Sequence, residues 1–562
     1  MSDENSFPHE SLKSGSSSSV MFCPLPEKEE PAQTKTDAAG AGRQIARAAG
    51  IVMAVYLLSN LIGLVHSMVV SYFFGTSADL DSYNAANRLT EALFNLMAGG
   101  ALGSAFIPVF TGFLMRKDRE GAWRLASGVI NVVFVVLIVV SALAWVFAPW
   151  LVENVLYLLA PGQTAVQLDQ TVLLLRVMLP TVVIFGISGL FMGILNSHQS
   201  FLIPALAPVL YSSGIILGAL LLPHSLGVLR LAWGAVFGAL MHLSVQIPSI
   251  LRLPGRRYFS SVGFKDQSVR EVLRLMVPRL ANAAIVQLNF IVNTMIALGL
   301  GAGSTSAVSL GFWIMLMPQR TIAQSTATAA LPTLSAQAEM KQFADMRKTL
   351  AGILRGVLLL AIPATVGMIL LRYPIVQTIY QRGEFDATST QMVTWALLWY
   401  CVGLIGHCLV EILARAFYAL HDTRTPVIVG VIAMTLNIGL SFLFAALFER
   451  ISWLPLGGIA LANSFATTLE GIALLVLMRK RMGGLEGRSI LSAAVQGTAA
   501  SAVMGALVFA VTAFLGVSHP RLALLAGLCA GLLAYVAMMA VLRVPELKSV
   551  IRAVKSRLGR MG

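Results

Sequence analysis

Charge is scarce in this sequence. Asp, Glu, Lys and Arg make up 12% of its 562 residues, about half their share in an average soluble protein, which excludes an ordinary soluble enzyme. Cysteine is rarer still. Cys23, Cys401, Cys408 and Cys529 share no C-x-x-C spacing, so a clustered thiol metal centre or redox pair is excluded and reduced packing thiols are expected. A glycine-rich phosphate loop, an H-E-x-x-H pair and a G-x-S-x-G elbow are also missing. The chain therefore reads as no enzyme, without metal or cofactor and without an ATPase of its own to drive movement.

What it has is apolar length. Hydrophobic residues make up 57% of the chain and the mean hydropathy is +0.79, with apolar runs recurring from about residue 49 to residue 542. A bilayer core of about 30 Å takes roughly 20 apolar residues per helix, which leaves room for about fourteen spans. They are expected at 49–74, 83–114, 125–150, 170–196, 201–222, 227–251, 272–300, 305–334, 349–371, 388–420, 424–447, 455–478, 489–515 and 521–542. Lipid offers exposed backbone groups no partner, so the expected fold class is an all-α integral membrane protein.

The formal charge of +14 is placed as a membrane, not a nucleic acid, would place it. Lys and Arg cluster at Arg116–Arg124, Arg252–Arg270, Lys341–Lys348, Arg479–Arg488 and Arg543–Arg560, in every second connection. This positive-inside pattern puts both termini in the cytoplasm. Residues 1–45, rich in Ser, Pro, Glu and Lys, read as a disordered tail, and 543–562 as a basic tail. The HQSFLIP run from His198 is echoed by HDTRTP from His421. If that echo is a repeat, 46–251 and 272–480 are two six-helix lobes joined by a cytoplasmic loop at 252–271, with 481–542 adding two helices. An offset of six spans relates such lobes by an axis along the membrane normal. Chance likeness of two tight turns is the alternative.

Ionisable groups inside a span cost about 2.5–3.5 kcal/mol each on insertion scales and should face protein or water. In the second span Asp81, Asn84, Arg88, Glu91 and Asn95 recur at steps of 3, 4, 3 and 4, one stripe of a helix. Asp81 is expected at the outer boundary, where it need not be desolvated. Arg88 and Glu91 can also serve merely as an i,i+3 pair between helices. The first span adds Asn60 and His66, and the seventh has Arg279, Asn282, Asn289 and Asn293 with Gln287 to one side. The amides by themselves could be interhelical glue. In the eighth span Arg320 follows Trp313 by seven residues and shares its face, while His407, Glu411 and Arg415 recur every fourth residue in the tenth. Glu411 is a candidate proton or cation site, unless Arg415 neutralises it.

Five stretches carry a resemblance: FFGTSADLDSYNAA from Phe73, GALGSAFIP from Gly100, LNSHQSFLIPALAP from Leu195, ALPTLS from Ala330 and LARAFYALHDTRTP from Leu413. Over about residues 46–480 the chain resembles the MurJ/MviN lipid II flippases of the MOP exporter superfamily. The resemblance implies a central cavity, opening alternately to either side, that carries an undecaprenyl-pyrophosphate-linked peptidoglycan precursor. It matches the family at Asp81, Arg88, Ser306, Gln287 and Asn293. Where the family keeps cavity arginines, this chain has Asn60, His66, Phe94 and Trp313. Either Arg320, Arg279 and His66 take over the cationic role, or the cargo differs. A MATE-like cation-coupled exporter and a transport-inactive scaffold are the other readings. A monomer with lipid and lipid-linked precursor as its partners is expected, driven by membrane potential, proton or sodium.

Overall fold

The computed structural model describes residues 55, 58–97, 100–160, 163–260, 263, 266–515 and 519–546. The tail at 1–45, residues 547–562 of the basic tail and Cys23 lie outside them. Every regular element among the described residues is helical. The first helices are α1 (Leu58–Phe74), α2 (Ala78–Met97), α3 (Gly100–Met115), α4 (Arg119–Val146), α5 (Ala165–Ser197), α6 (Leu202–Leu221) and α7 (Leu229–Ser244). Then follow α8 (Gln267–Gly299), α9 (Ser304–Gln319), α10 (Ser325–Glu339), α11 (Phe343–Tyr380), α12 (Ala387–Val402) and α13 (Leu404–Ala419). The last four are α14 (Arg424–Arg450), α15 (Leu456–Arg481), α16 (Gly487–Leu515) and α17 (Pro520–Val541).

These helices lie across every stretch where a span was expected. By length and composition, nine among the described residues are able to cross a membrane, or ten if α12 and α13, bent by 49°, count as one. The expected fourteen exceeds this for a physical reason. The segments that fall short are short or interrupted, as α9 is by a π-helical turn at Arg320–Gln324, or polar, as α2 is with Asp79, Asp81, Arg88 and Glu91.

The buried apolar residues form separate clusters. Two lie mainly within α1–α7, around Leu174 and Leu231 and around Phe106 and Phe110. A larger one joins α9–α15 around Leu354, Leu413 and Phe417, and a fourth ties α16 and α17 to α11. Helix α8 belongs to both sides: Val269, Val272 and Met276 pack in the Phe106 cluster, whereas Ile296 and Ala297 pack with α9–α15.

Lipid is as apolar as leucine, so helices in it are held by close packing rather than by escape from water. The α6–α7 pair is the clearest case. Gly214 and Gly218 on α6 lie against Gly234 and Gly238 on α7, so close that a β-carbon on any of them would meet backbone of the other helix. Gly238→Val is therefore expected to force the pair apart and cost about 1–3 kcal/mol by overpacking. Thermal unfolding of the detergent-solubilised protein should show a lower midpoint than for Gly112→Ala, whose added methyl meets open space.

Candidate functional site

The α2 stripe begins at a sealed junction. Asp81 is 4% exposed, and its carboxylate lies at the start of α9. It accepts the backbone N–H of Gly303 at 2.6 Å, that of Ser306 at 2.7 Å and the Ser306 hydroxyl at 2.7 Å. The expectation that Asp81 stays at a hydrated boundary is thus corrected. The residue is desolvated, and three donors at the positive end of a helix replace its water. Such charge-assisted hydrogen bonds contribute about 1.5–3 kcal/mol each. Asn84, one turn on, donates to the Ser306 hydroxyl at 3.0 Å.

Other contacts cross at the same end. Thr76 donates to Ser389 Oγ at 2.8 Å, the Glu384 amide donates to the Tyr72 carbonyl at 2.9 Å, and the Ser67 and Tyr380 hydroxyls are 3.1 Å apart. Gly303 has φ of +83° and lies against the Thr76 carbonyl so closely that a β-carbon would clash with it. Only glycine fits there. Of these junction residues, only Asp81, Asn84 and Ser306 stand out in the sequence. Ser67, Tyr72, Thr76, Tyr380 and Ser389 carry no periodic signal, and only the turn glycines Gly75 and Gly383 mark the place.

Away from the junction the stripe opens. Arg88 and Glu91 form an ion pair at 2.9 Å, with side chains 24% and 45% exposed, and the Arg88 guanidinium lies 5.0 Å from the ring centre of Phe290 on α8. Asn95 is half-buried and Asn60 on α1 exposed. His66 on α1 has a buried Nε2 with no hydrogen-bond partner. A matching face runs down α9, where Ser306, Trp313 and Arg320 recur every seventh residue. Trp313 is exposed, and the Arg320 guanidinium lies over its ring at 4.7 Å. Side chains on a helix lean towards its N-terminus, so Arg320 brings its charge back to the level of Trp313. The two faces start together at Asp81 and Ser306.

The other expected site residues lie elsewhere or are engaged. Asn293 donates to Asn437 Oδ1 on α14 at 2.9 Å and accepts from Ser441 at 3.1 Å, while Asn289 reaches the same Asn437 at 3.1 Å. These amides act as interhelical glue. Gln287 is buried with Oε1 unpartnered. Glu411 is paired with Arg415, and His407 with Asn463 at 3.0 Å. The side chain of Arg279 lies outside the described residues. Among the described residues no group of three or more His, Cys, Asp or Glu is arranged to hold a metal ion.

The profile of the lipid II flippase MurJ family matches residues 70–525. The chain belongs to the MurJ family. Its relatives include the lipid II flippase MurJ of Burkholderia cenocepacia, 30% identical over 430 residues that cover 76% of this chain and 82% of that protein. Among solved structures, a lipid II flippase MurJ in an inward closed conformation superposes with a TM-score of 0.74 at 22% identity, over 87% of this chain and 98% of that one. An inward-facing multidrug resistance MATE family transporter of the MOP superfamily gives 0.64 at 16% identity, over 78% and 99%. The MurJ fold is therefore shared, and MATE transporters are more distant neighbours.

If the Asp81 contacts hold the junction shut, Asp81→Ala should loosen it by leaving the Gly303 and Ser306 donors unpaired. Spin labels at Asp79 and Glu384, with the native cysteines replaced, should report a longer and broader distance distribution in that variant. An unchanged distribution would show that the remaining contacts suffice.

Proposed function

We infer that this chain translocates lipid II across the cytoplasmic membrane for peptidoglycan synthesis. Membership of the MurJ family supports the cargo. The observation that carries the mechanism is the pair of faces on α2 and α9, sealed together at Asp81 and exposed at Arg88, Glu91 and Trp313. In the orientation that the positive-inside pattern favours, with both termini cytoplasmic, the sealed end faces outwards and the accessible end inwards. That is the arrangement of a carrier awaiting cargo from the cytoplasm.

The sugar-pyrophosphate head would enter between α1, α2, α8 and α9 while the polyprenyl tail stays in lipid, since an unpartnered pyrophosphate is prohibitively costly to desolvate. Arg88 and Arg320 supply planar donors suited to phosphate oxygens. Arg320, lying over Trp313, supplies a cation near one of the positions where the resemblance implies an arginine. Asn60, His66, Asn84, Glu91, Asn95 and Arg279 complete the proposed polar route, and Asp81 and Ser306 act as its outer gate. The clusters on either side of α8 would rock as two lobes about it. A membrane potential acts on a charged carrier with about 2.3 kcal/mol per charge per 100 mV, and a proton or sodium ion is the other proposed driving force.

A MATE-like exporter of organic cations would need free carboxylates on this route. Asp81 is engaged by three donors and Glu91 by Arg88, which counts against it. Native mass spectrometry of the purified protein should reveal a co-purified polyprenyl-pyrophosphate lipid. Arg88→Ala and Arg320→Ala should each lower complementation of a flippase-depleted strain at least tenfold at normal membrane abundance. Full activity in both would refute the cationic route.

A further inference from the structure

We propose that Arg230 is a positioning residue of the outward junction: through the ring faces of Phe73 and Phe74 it holds the outer end of α1 on the N-terminal helices, ready to meet α9 and α12 whenever the junction closes. The use of the junction as a gate rests on the transport reading above, whereas the hold on α1 does not.

Arg230 stands in the first turn of α7 and is 3% exposed. Among the described residues no carboxylate forms an ion pair with it. A buried cation without an acid beside it needs other compensation. Part of that comes from the end of α6 and the turn after it. Arg230 Nε donates to the Gly227 carbonyl at 3.2 Å, and Nη1 donates to the Ala219 carbonyl and to His224 Nδ1, both at 3.1 Å. Ala219 lies in the last turn of α6, where the carbonyls carry partial negative charge. A guanidinium can only donate, so the imidazole nitrogen accepts. The rest is aromatic. The guanidinium lies 4.9 Å from the ring centre of Phe73 and 5.1 Å from that of Phe74, and such ring faces attract a cation. Arginine suits both tasks because its donors lie in a plane that leaves the face of the group free for the rings.

The place of those rings in the chain gives the contact its use. Phe73 and Phe74 end α1, and on either side of them Tyr72 and Thr76 meet the C-terminal helices. The Tyr72 carbonyl accepts the Glu384 amide, and the Thr76 hydroxyl donates to Ser389 on α12. A β-carbon at Gly75 would clash with the Glu384 carbonyl, and one at Gly383 with the Tyr72 carbonyl. The Tyr72 ring stands edge-on to Phe73 with centres 5.1 Å apart. The same short segment packs with Val228 and Leu231 in the cluster of the N-terminal helices, where Arg230 lies against it. The bonds to α9 and α12 are ones that water can replace, while the hold by Arg230 is buried, so opening breaks the first and keeps the second. An end of α1 kept in place has little conformational freedom left to lose at each closure.

The full chain in lipid nanodiscs would be followed by hydrogen exchange and mass spectrometry. In Arg230→Gln, which keeps an amide donor but no charge, we expect the amides of residues 70–76 to exchange about tenfold faster than in the wild type. Phe73→Leu, which keeps apolar bulk but no ring face, should do the same, and Arg230→Lys, which returns a cation, should restore most of the protection. Arg230→Gln should also lower complementation of a flippase-depleted strain at normal membrane abundance, and Arg230→Lys should recover it. An arginine that merely caps α6 would speed exchange at 216–222 and leave 70–76 unchanged. That result would overturn the proposal, as would full complementation by Arg230→Gln. Exchange needs no cargo, so a wild type unable to complement would count against the transport reading alone, and the rates at 70–76 would still decide whether Arg230 holds α1.

Discussion

The arrangement of this transporter depends on one buried carboxylate. Asp81 would be costly to desolvate by itself, yet the start of α9 presents it with two backbone N–H groups and a hydroxyl at 2.6–2.7 Å. The cost on each side is met by the other. Separating the two helices exposes a carboxylate and several donors together, so the contact holds only when nearly complete. Water can replace those bonds once the junction opens, which makes the contact reversible, as the proposed gating role requires.

The same economy explains where charge is tolerated elsewhere. Glu411 is paired with Arg415 within α13, and Asn289, Asn293, Asn437 and Ser441 satisfy one another between α8 and α14. Such groups hold helices together in lipid. Arg88, Glu91 and Arg320 differ in staying partly exposed, as the proposed route for cargo requires.

Helix α8 makes any division of the chain at residue 272 physically incomplete. Its first turns are buried among the N-terminal helices and its last turn is shared, Ile296 and Ala297 packing with the C-terminal helices and Leu298 with the N-terminal ones. Asn289 and Asn293 in its C-terminal half bind α14, so the proposed rocking of the two sides would be accommodated along this helix.

Composition and periodicity alone determined that the chain is a helical membrane protein and that Asp81, Asn84, Arg88, Glu91 and Asn95 share one face. The period of a helix and the cost of charge in lipid are local properties, legible without a fold. The positions of Trp313 and Arg320 on one face of α9 were legible for the same reason, as was the choice between pairing and a cation site at Glu411, left open until Arg415 was seen beside it. Only tertiary structure decided that Asp81 is buried, that Asn293 is engaged by α14, and that Ser67, Tyr72, Thr76, Tyr380 and Ser389 meet at the junction. Those contacts join residues far apart along the chain, and no pattern within a single helix records which distant helix will supply its partner.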